Sequence, residues 1–264
     1  YLEYTHTQTF PAWIKELTSL EFVHVESKFT SPMVVLPDDM FDDMSALTFI
    51  HFAVFIPMTK LPSFDGLTNL KSLTLAVFLL LEEVPSFDKL YSLERLVLAA
   101  IPAMNSLPDF SHIKDLKSFA TADRGAWCCN GFLGDCDLRD GKCGVHPVWG
   151  TPAATCLGPD STIATPATLA AVKKFSETTC GVVLEPGAME GPPTPELMAP
   201  YNGTMWKQCG WPGGVEAMCY NARFMGITCS TNKYPIEMRR QQIARGVGDR
   251  CDPAIEAWLG CKTT

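Results

Sequence analysis

LPSFDGLTNLKSLTL (61–75), VPSFDKLYSLERLVL (84–98) and LPDFSHIKDLKSFAT (107–121) are near-copies of one another, opening at equal intervals on Leu61, Val84 and Leu107. Each begins with an aliphatic-Pro-x-Phe element and continues Leu/Ile-x-x-Leu-x-x-Leu/Phe, with a further Leu two places on in the first two copies. Upstream, LPDDMFDDMSALTFIHF (36–52) fits the pattern with Met44, Leu47, Ile50 and Phe52 in the apolar positions and a small insertion before Met44. FPAWIKELTSLEFVHV (10–25) offers Leu17, Leu20, Val23 and Val25. The anchors Leu47, Leu70, Leu93 and Leu116 are evenly spaced, and the interval from Leu20 to Leu47 is slightly longer.

A fixed period of about 20–29 residues carrying L-x-x-L-x-L is the signature of a leucine-rich repeat, and this period falls inside that range. One repeat cannot bury its apolar side alone, so consecutive repeats stack into a continuous core. The fold class expected is therefore α/β: a leucine-rich-repeat solenoid of about five repeats with short parallel strands on its concave face. In each strand Leu73 and Leu75, and their equivalents, point inward, while Lys71, Ser72, Thr74 and Ala76 face the concave surface. Two departures stand out. The Asn that usually follows the strand is replaced by Phe55, Phe78 and Ile101, so the backbone at that turn must be satisfied in another way. No copy carries the Leu-x-Gly-x-Ile-Pro element of plant-type repeats.

The 264-residue chain has 47% apolar residues and a net charge of −8, which fits a globular protein and argues against a nucleic-acid partner. No apolar run reaches the length of a membrane span, and no segment reads as a signal peptide. The opening at Tyr1, close to the first repeat, is what a mature or excised portion of a longer precursor would show.

All eleven cysteines lie at or after Cys128. Cys128, Cys129, Cys136, Cys143, Cys156, Cys180, Cys209, Cys219, Cys229, Cys251 and Cys261 contain no pair with zinc-ligand spacing, and their wide spacing among Gly and Pro reads as disulfides in an oxidising compartment. An odd count leaves one thiol free or bonded outside the chain. The neighbours Cys128 and Cys129 are expected to bond to different partners, because a bond between adjacent residues is strained. Asn202-Gly-Thr is an N-glycosylation sequon, consistent with secretion.

Stacking equivalent positions sketches the concave face. Its candidate ligand-binding residues are Phe22, His24, Phe49, His51, Lys71, Thr74 and Arg95. Phe22 and Phe49 set beside His24 and His51 make an aromatic and imidazole patch, either a contact site or a surface covered by another part of the chain. No paired carboxylate and nucleophile recur with the two histidines, so neither a metal site nor catalysis is expected there, and no cofactor is implied. Asp38, Asp39, Asp42 and Asp43 lack the Gly-punctuated spacing of a calcium loop and read as a solvated convex turn.

Beyond the repeats (1–127) the chain changes character. Residues 128–183 read as a cysteine-rich cap, with a short helix N-capped by Thr165 and burying Leu169, Val172 and Phe175. Residues 184–204 are a Pro/Gly-rich linker. Residues 205–264 form a small disulfide-rich subdomain, with one helix over 235–245 ended by Gly246 and another N-capped by Asp252 and stopped by Gly260. Arg239, Arg240 and Arg245 read as a solvated basic face, and Ile255, Trp258 and Leu259 as a packed apolar stripe.

Trp258-Leu259-Gly260-Cys261, joined to an upstream repeat solenoid and to CCNGFLGDC (128–136), resembles the WLGC-domain leucine-rich-repeat proteins of oomycetes. The resemblance implies an extracellular or cell-surface location, with secreted or membrane-anchored members, and carries over no catalytic residue. No G-x-S-x-G or H-E-x-x-H motif points to an enzyme. The expected function is a non-enzymatic extracellular module that binds a protein or glycan on its concave face. The alternative is a structural subunit of an extracellular assembly, self-associating through the odd cysteine and exposed apolar residues.

Overall fold

A computed structural model describes residues 2–122, 125–147, 149–181, 196, 199, 201–202, 204–223 and 226–262. The chain divides into two compact units, Tyr1–Pro186 and Gly187–Thr264. Most of the 184–204 segment read as a linker lies outside the described residues.

In the first unit, β1 (Leu2–Thr5), β2 (Phe22–Ser27), β3 (Phe49–Ala53), β4 (Ser72–Ala76), β5 (Arg95–Ala99) and β6 (Ser118–Ala122) form one parallel sheet in chain order. Strands β2–β6 recur in unbroken register through about four turns, an arrangement consistent with a leucine-rich-repeat-like solenoid. Strand β1 is an addition to what the sequence pattern suggests. It extends the sheet beyond the first repeat, with a register irregularity between Glu3 and Thr5.

The periodic leucines are the core: Leu47, Leu67, Leu70, Leu73, Leu75, Leu90, Leu93 and Leu96 are fully buried. Leu17 differs, at 40% exposed, because it lies on the leading side of the stack where no earlier turn covers it. The Phe of each repeat opening packs on its equivalent one turn away. Ring centroids lie 6.0 Å apart for Phe41–Phe64, 6.3 Å for Phe64–Phe87 and 5.6 Å for Phe87–Phe110.

A second ladder replaces the missing Asn. Phe52, Phe55 and Phe78 pack at 5.0 and 5.2 Å, with Phe55 and Phe78 fully buried. The backbone just before these residues turns through the left-handed region at Val54 (φ 64°), Val77 (φ 57°) and Ala100 (φ 50°). Its amides are satisfied by the next turn: Val54 N–H donates to the Ala76 carbonyl (3.0 Å), Phe55 N–H to Val77 (3.1 Å), Val77 N–H to Ala99 (2.8 Å) and Ala100 N–H to Ala122 (3.1 Å). The strained φ values, costing on the order of 1–2 kcal/mol each, are held by these bonds and by the buried apolar side chain that follows.

The solenoid ends where β6 meets side-chain partners instead of another strand. Helix α1 (Pro166–Lys174) is N-capped by Thr165 and carries Pro166 in its first turn, as expected. Its buried residues are Thr168 and Val172, whereas Leu169, expected inward, is exposed. Thr168 Oγ1 donates to Pro108 O (2.9 Å) and accepts from Phe110 N–H (3.2 Å), so the inward position goes to a residue that can bond the last turn. Lys174 Nζ donates to Leu116 O (2.7 Å), Thr178 Oγ1 to Phe119 O (2.6 Å), and Thr121 Oγ1 to Thr179 O (2.7 Å). Three disulfides fix this cap: Cys128–Cys180, Cys129–Cys143 and Cys136–Cys156, so the vicinal cysteines do bond to different partners. Phe29, just after β2, stacks at 6.5 Å on Trp149 of the cap and so links the first and last parts of the unit.

In the second unit β7 (Met218–Arg223) and β8 (Gly226–Ser230) form an antiparallel hairpin, followed by α2 (Lys233–Arg245) and α3 (Pro253–Glu256), which tightens into a 3-10 turn over Ala257–Leu259. Helix α2 starts before Pro235, because Asn232 caps it by accepting from Tyr234 N–H. Asp252 caps α3 as expected. Cys209–Cys229 and Cys251–Cys261 complete the bridges.

Gly66 tests the stacking. The later copies place Lys89 and His112 at its position, but only Gly66 follows the lengthened turn. A Cβ there would collide with the carbonyl oxygens of Phe41 and Asp42. Gly66→Ala is expected to cost about 1–3 kcal/mol by overpacking, lowering the midpoint of thermal unfolding. Lys89→Ala, exposed one turn later, is expected to stay within about 0.5 kcal/mol.

Candidate functional site

Parallel register places equivalent residues in columns on the outward face of the sheet. One column is Phe22, Phe49, Ser72, Arg95 and Ser118, and the next is His24, His51, Thr74, Val97 and Ala120. Both columns are those anticipated from the repeat alignment. Their exposure is not. His24, Phe49, His51 and Thr74 are buried, Phe22 and Arg95 are half-buried, and only Lys71 of the seven candidate ligand-binding residues is open. Bulky neighbours within and between the columns roof one another: Phe22 and Phe49 rings sit 6.4 Å apart, Phe49 and His51 6.5 Å, and Arg95 Nη1 donates to Thr74 Oγ1 (3.1 Å). Strand β1 also pairs along Val25, Glu26 and Ser27, which makes β2 an interior strand. The aromatic and imidazole patch is therefore not a free surface.

The histidines are organised instead around a third residue on their face of the sheet, Glu26. His24 and His51 lie opposite each other on β2 and β3, with ring centroids 4.2 Å apart and planes tilted by 5°. Glu26 is two places along β2, on the same face as His24. Its cross-strand partner is Ala53, too short to fill the space, so the carboxylate can turn back between the imidazoles. Glu26 Oε1 lies 3.1 Å from His24 Nε2 and 3.3 Å from His51 Nε2. All three residues are buried, and one potential donor atom from each falls within 4.8 Å of the others. The sequence reading connects no carboxylate with the two histidines, and the structure brings Glu26 to both of them. An i, i+2 pair on one strand with an in-register His one turn later was the available signal.

Burial, and next the neighbouring His51, push the His24 pKa down to about 3, so its ring is neutral at physiological pH. Burial pushes Glu26 up, but hydrogen bonds from His24 and His51 outweigh it and hold the carboxyl down at about 2. The cluster therefore combines an ionised carboxylate with a neutral imidazole.

The acidic turn is solvated, as read from sequence. Asp39 pairs with Lys15, and Asp38 Oδ1 with Lys60 Nζ at 2.9 Å.

In the second unit the run of arginines is not one solvated face. Arg239 is buried and grips Glu256 with a fork, Nε to Oε2 at 2.6 Å and Nη2 to Oε1 at 3.1 Å. Its Nη1 donates to Asp249 O and Gln242 Oε1, each at 3.1 Å, and its guanidinium lies 5.3 Å from the Trp206 ring centroid. Arg240 pairs with Glu216. Each letter of the terminal Trp-Leu-Gly-Cys has a structural task. Trp258 Nε1 donates to Trp206 O (2.9 Å), Leu259 is buried, Gly260 turns at φ 98°, and Cys261 closes the bridge to Cys251.

The odd cysteine is Cys219, fully buried opposite Cys229 on the hairpin. Burial pushes its thiol up to about 12, against a lowering hydrogen bond with Tyr201.

Residues 196–262 match the WLGC domain, which covers most of the second unit. The protein is therefore a parallel-strand solenoid with a disulfide-bonded cap, followed by a WLGC-domain unit. No curated protein is recognisably similar to it. Among the described residues no helix is long and apolar enough to cross a membrane.

Two outcomes are expected. Arg239→Ala leaves Glu256 buried without its partner and should cost about 3–5 kcal/mol, read as earlier denaturant unfolding of the second unit. Cys219 should be silent to a thiol reagent in the folded protein and react at one equivalent per chain after denaturation without reductant.

Proposed function

We propose that this chain is a non-enzymatic extracellular binding module, a leucine-rich-repeat solenoid that engages a protein or glycan along one edge of its strand face. The observation that carries this reading is the column of residues entering the strands. Glu21, Thr48, Lys71, Glu94 and Lys117 occupy equivalent positions, with Lys71 and Lys117 exposed and the other three half-buried. Repeat solenoids use such extended columns for recognition, because each turn contributes one variable side chain to a single surface. Burial of His24, Phe49, His51 and Thr74 moves the proposed contact away from the histidine patch, toward Lys71, Lys117 and the neighbouring Ser118.

Location has separate support. Five disulfides suit an oxidising compartment. Asn202 is exposed at the head of its sequon, where a glycan could be attached. The WLGC match agrees with the resemblance to secreted or cell-surface oomycete repeat proteins. The assembly reading loses its covalent link, since the one free thiol is buried.

The test is a screen of the full chain against a glycan array and a panel of secreted proteins, followed by affinity measurement on any specific binder. Charge reversal of Lys71 and Lys117 together should weaken binding by about tenfold or more, equivalent to about 1.4 kcal/mol, while Asp65→Lys should leave it unchanged. Binding that survives the double reversal and fails in Asp65→Lys would take recognition off the strand face.

A further inference from the structure

We propose that His24, Glu26 and His51 form a binding site for one divalent first-row transition cation of the zinc class. The site is made of a His and a Glu at i and i+2 on β2 and a second His in register on β3. Both Nε2 atoms face the same carboxylate oxygen, at 3.1 and 3.3 Å. Those separations match the edges of a zinc coordination tetrahedron, about 3.3 Å for metal–ligand bonds near 2.0–2.1 Å. The rings are stacked within 5° of parallel, so their Nε2 lone pairs run side by side, and seating one cation against all three donors requires one imidazole to rotate about its side-chain bonds toward the other.

The donor set selects the metal. Two imidazoles and one carboxylate suit zinc and its neighbours, and three protein donors plus a water make the usual four of an exchangeable zinc site. Calcium and magnesium want six or more oxygen donors, which this set does not resemble. Sheet register holds the three backbones opposite one another, so only side-chain rotation separates the donors from a common ion. A triad of hydrogen bonds, with both rings donating to Glu26, is the competing account of the same distances.

The two accounts part on metal titration of the full-length chain after chelator treatment and dialysis. Zinc titrated calorimetrically should bind at one equivalent, and cobalt substituted for it should give the intense visible absorption of a tetrahedral complex. Zinc should raise the thermal midpoint. His51→Ala and Glu26→Gln should each weaken binding at least about a hundredfold and abolish that rise, with circular dichroism confirming the fold. Removing the exposed His6 and His112 together should change nothing, which keeps the test decisive even if a variant at the site fails to fold. Absence of saturable zinc and cobalt binding by the wild type would overturn the proposal in favour of the hydrogen-bonded triad. So would full binding retained by folded His51→Ala and Glu26→Gln, or binding lost with His6 and His112.

Discussion

Parallel strands can pair in unbroken register only if every turn of chain returns to the same height, and that constraint governs the first unit. Turns of equal length, from Leu47 through Leu70 and Leu93 to Leu116, satisfy it by repetition. The turn between Leu20 and Leu47 is longer and must still deliver Phe49 opposite Phe22 and Ser72. Its surplus is taken up away from the sheet, in the acidic segment that leads into Phe41 and Asp42, since Phe41 is already level with its equivalent Phe64. That segment presses on the next turn, where Gly66 offers no Cβ to meet it. Register in the sheet is thus preserved by tolerance at one glycine on the opposite side.

The same constraint explains how the consensus amide could be lost. In this chain the post-strand amides reach the carbonyls of the following turn, through residues held at positive φ, and a buried Phe occupies the position of the absent side chain at 55 and 78. A backbone-to-backbone ladder works only when successive turns bend identically, so it depends on the register and reinforces it. At β6 there is no following turn, and the cap takes over with hydroxyl and ammonium donors from Thr168, Thr178 and Lys174. These groups are short or flexible enough to meet a carbonyl edge without continuing it as a strand.

Much of this was legible from sequence because it is periodic or local. The even repeat decides which residues share a column. Thr165, Asp252 and Gly246 announce helix boundaries through their own backbone chemistry. What escaped was tertiary pairing between residues that each look ordinary alone. Arg239 sits in a run of arginines and reads as solvated until Glu256, far along the chain, is placed under it. Leu169 follows the apolar spacing of its helix, yet Thr168 takes the inward place, since a carbonyl and an amide of the last turn await it. The exposure of the strand face was overestimated for the same reason. Facing outward from the leucine core does not leave a side chain open when equally large neighbours stand 4.2 Å away, as at His24 and His51.

The His24, Glu26 and His51 cluster joins these themes. Two histidines a whole turn apart in sequence become stacked rings only because the long turn restores register. Strand alternation then puts Glu26 on their side, and the small Ala53 opposite leaves room for its carboxylate to face both rings. A slip of one position in β2 or β3 would turn His24 or His51 into the leucine core, and the donors would no longer converge. Convergence of three polar groups inside an apolar-rich sheet is therefore a direct product of the constraint that builds the solenoid. It also makes the cluster a sensitive reporter: whatever the three groups hold, they can hold it only while the first two turns remain in register.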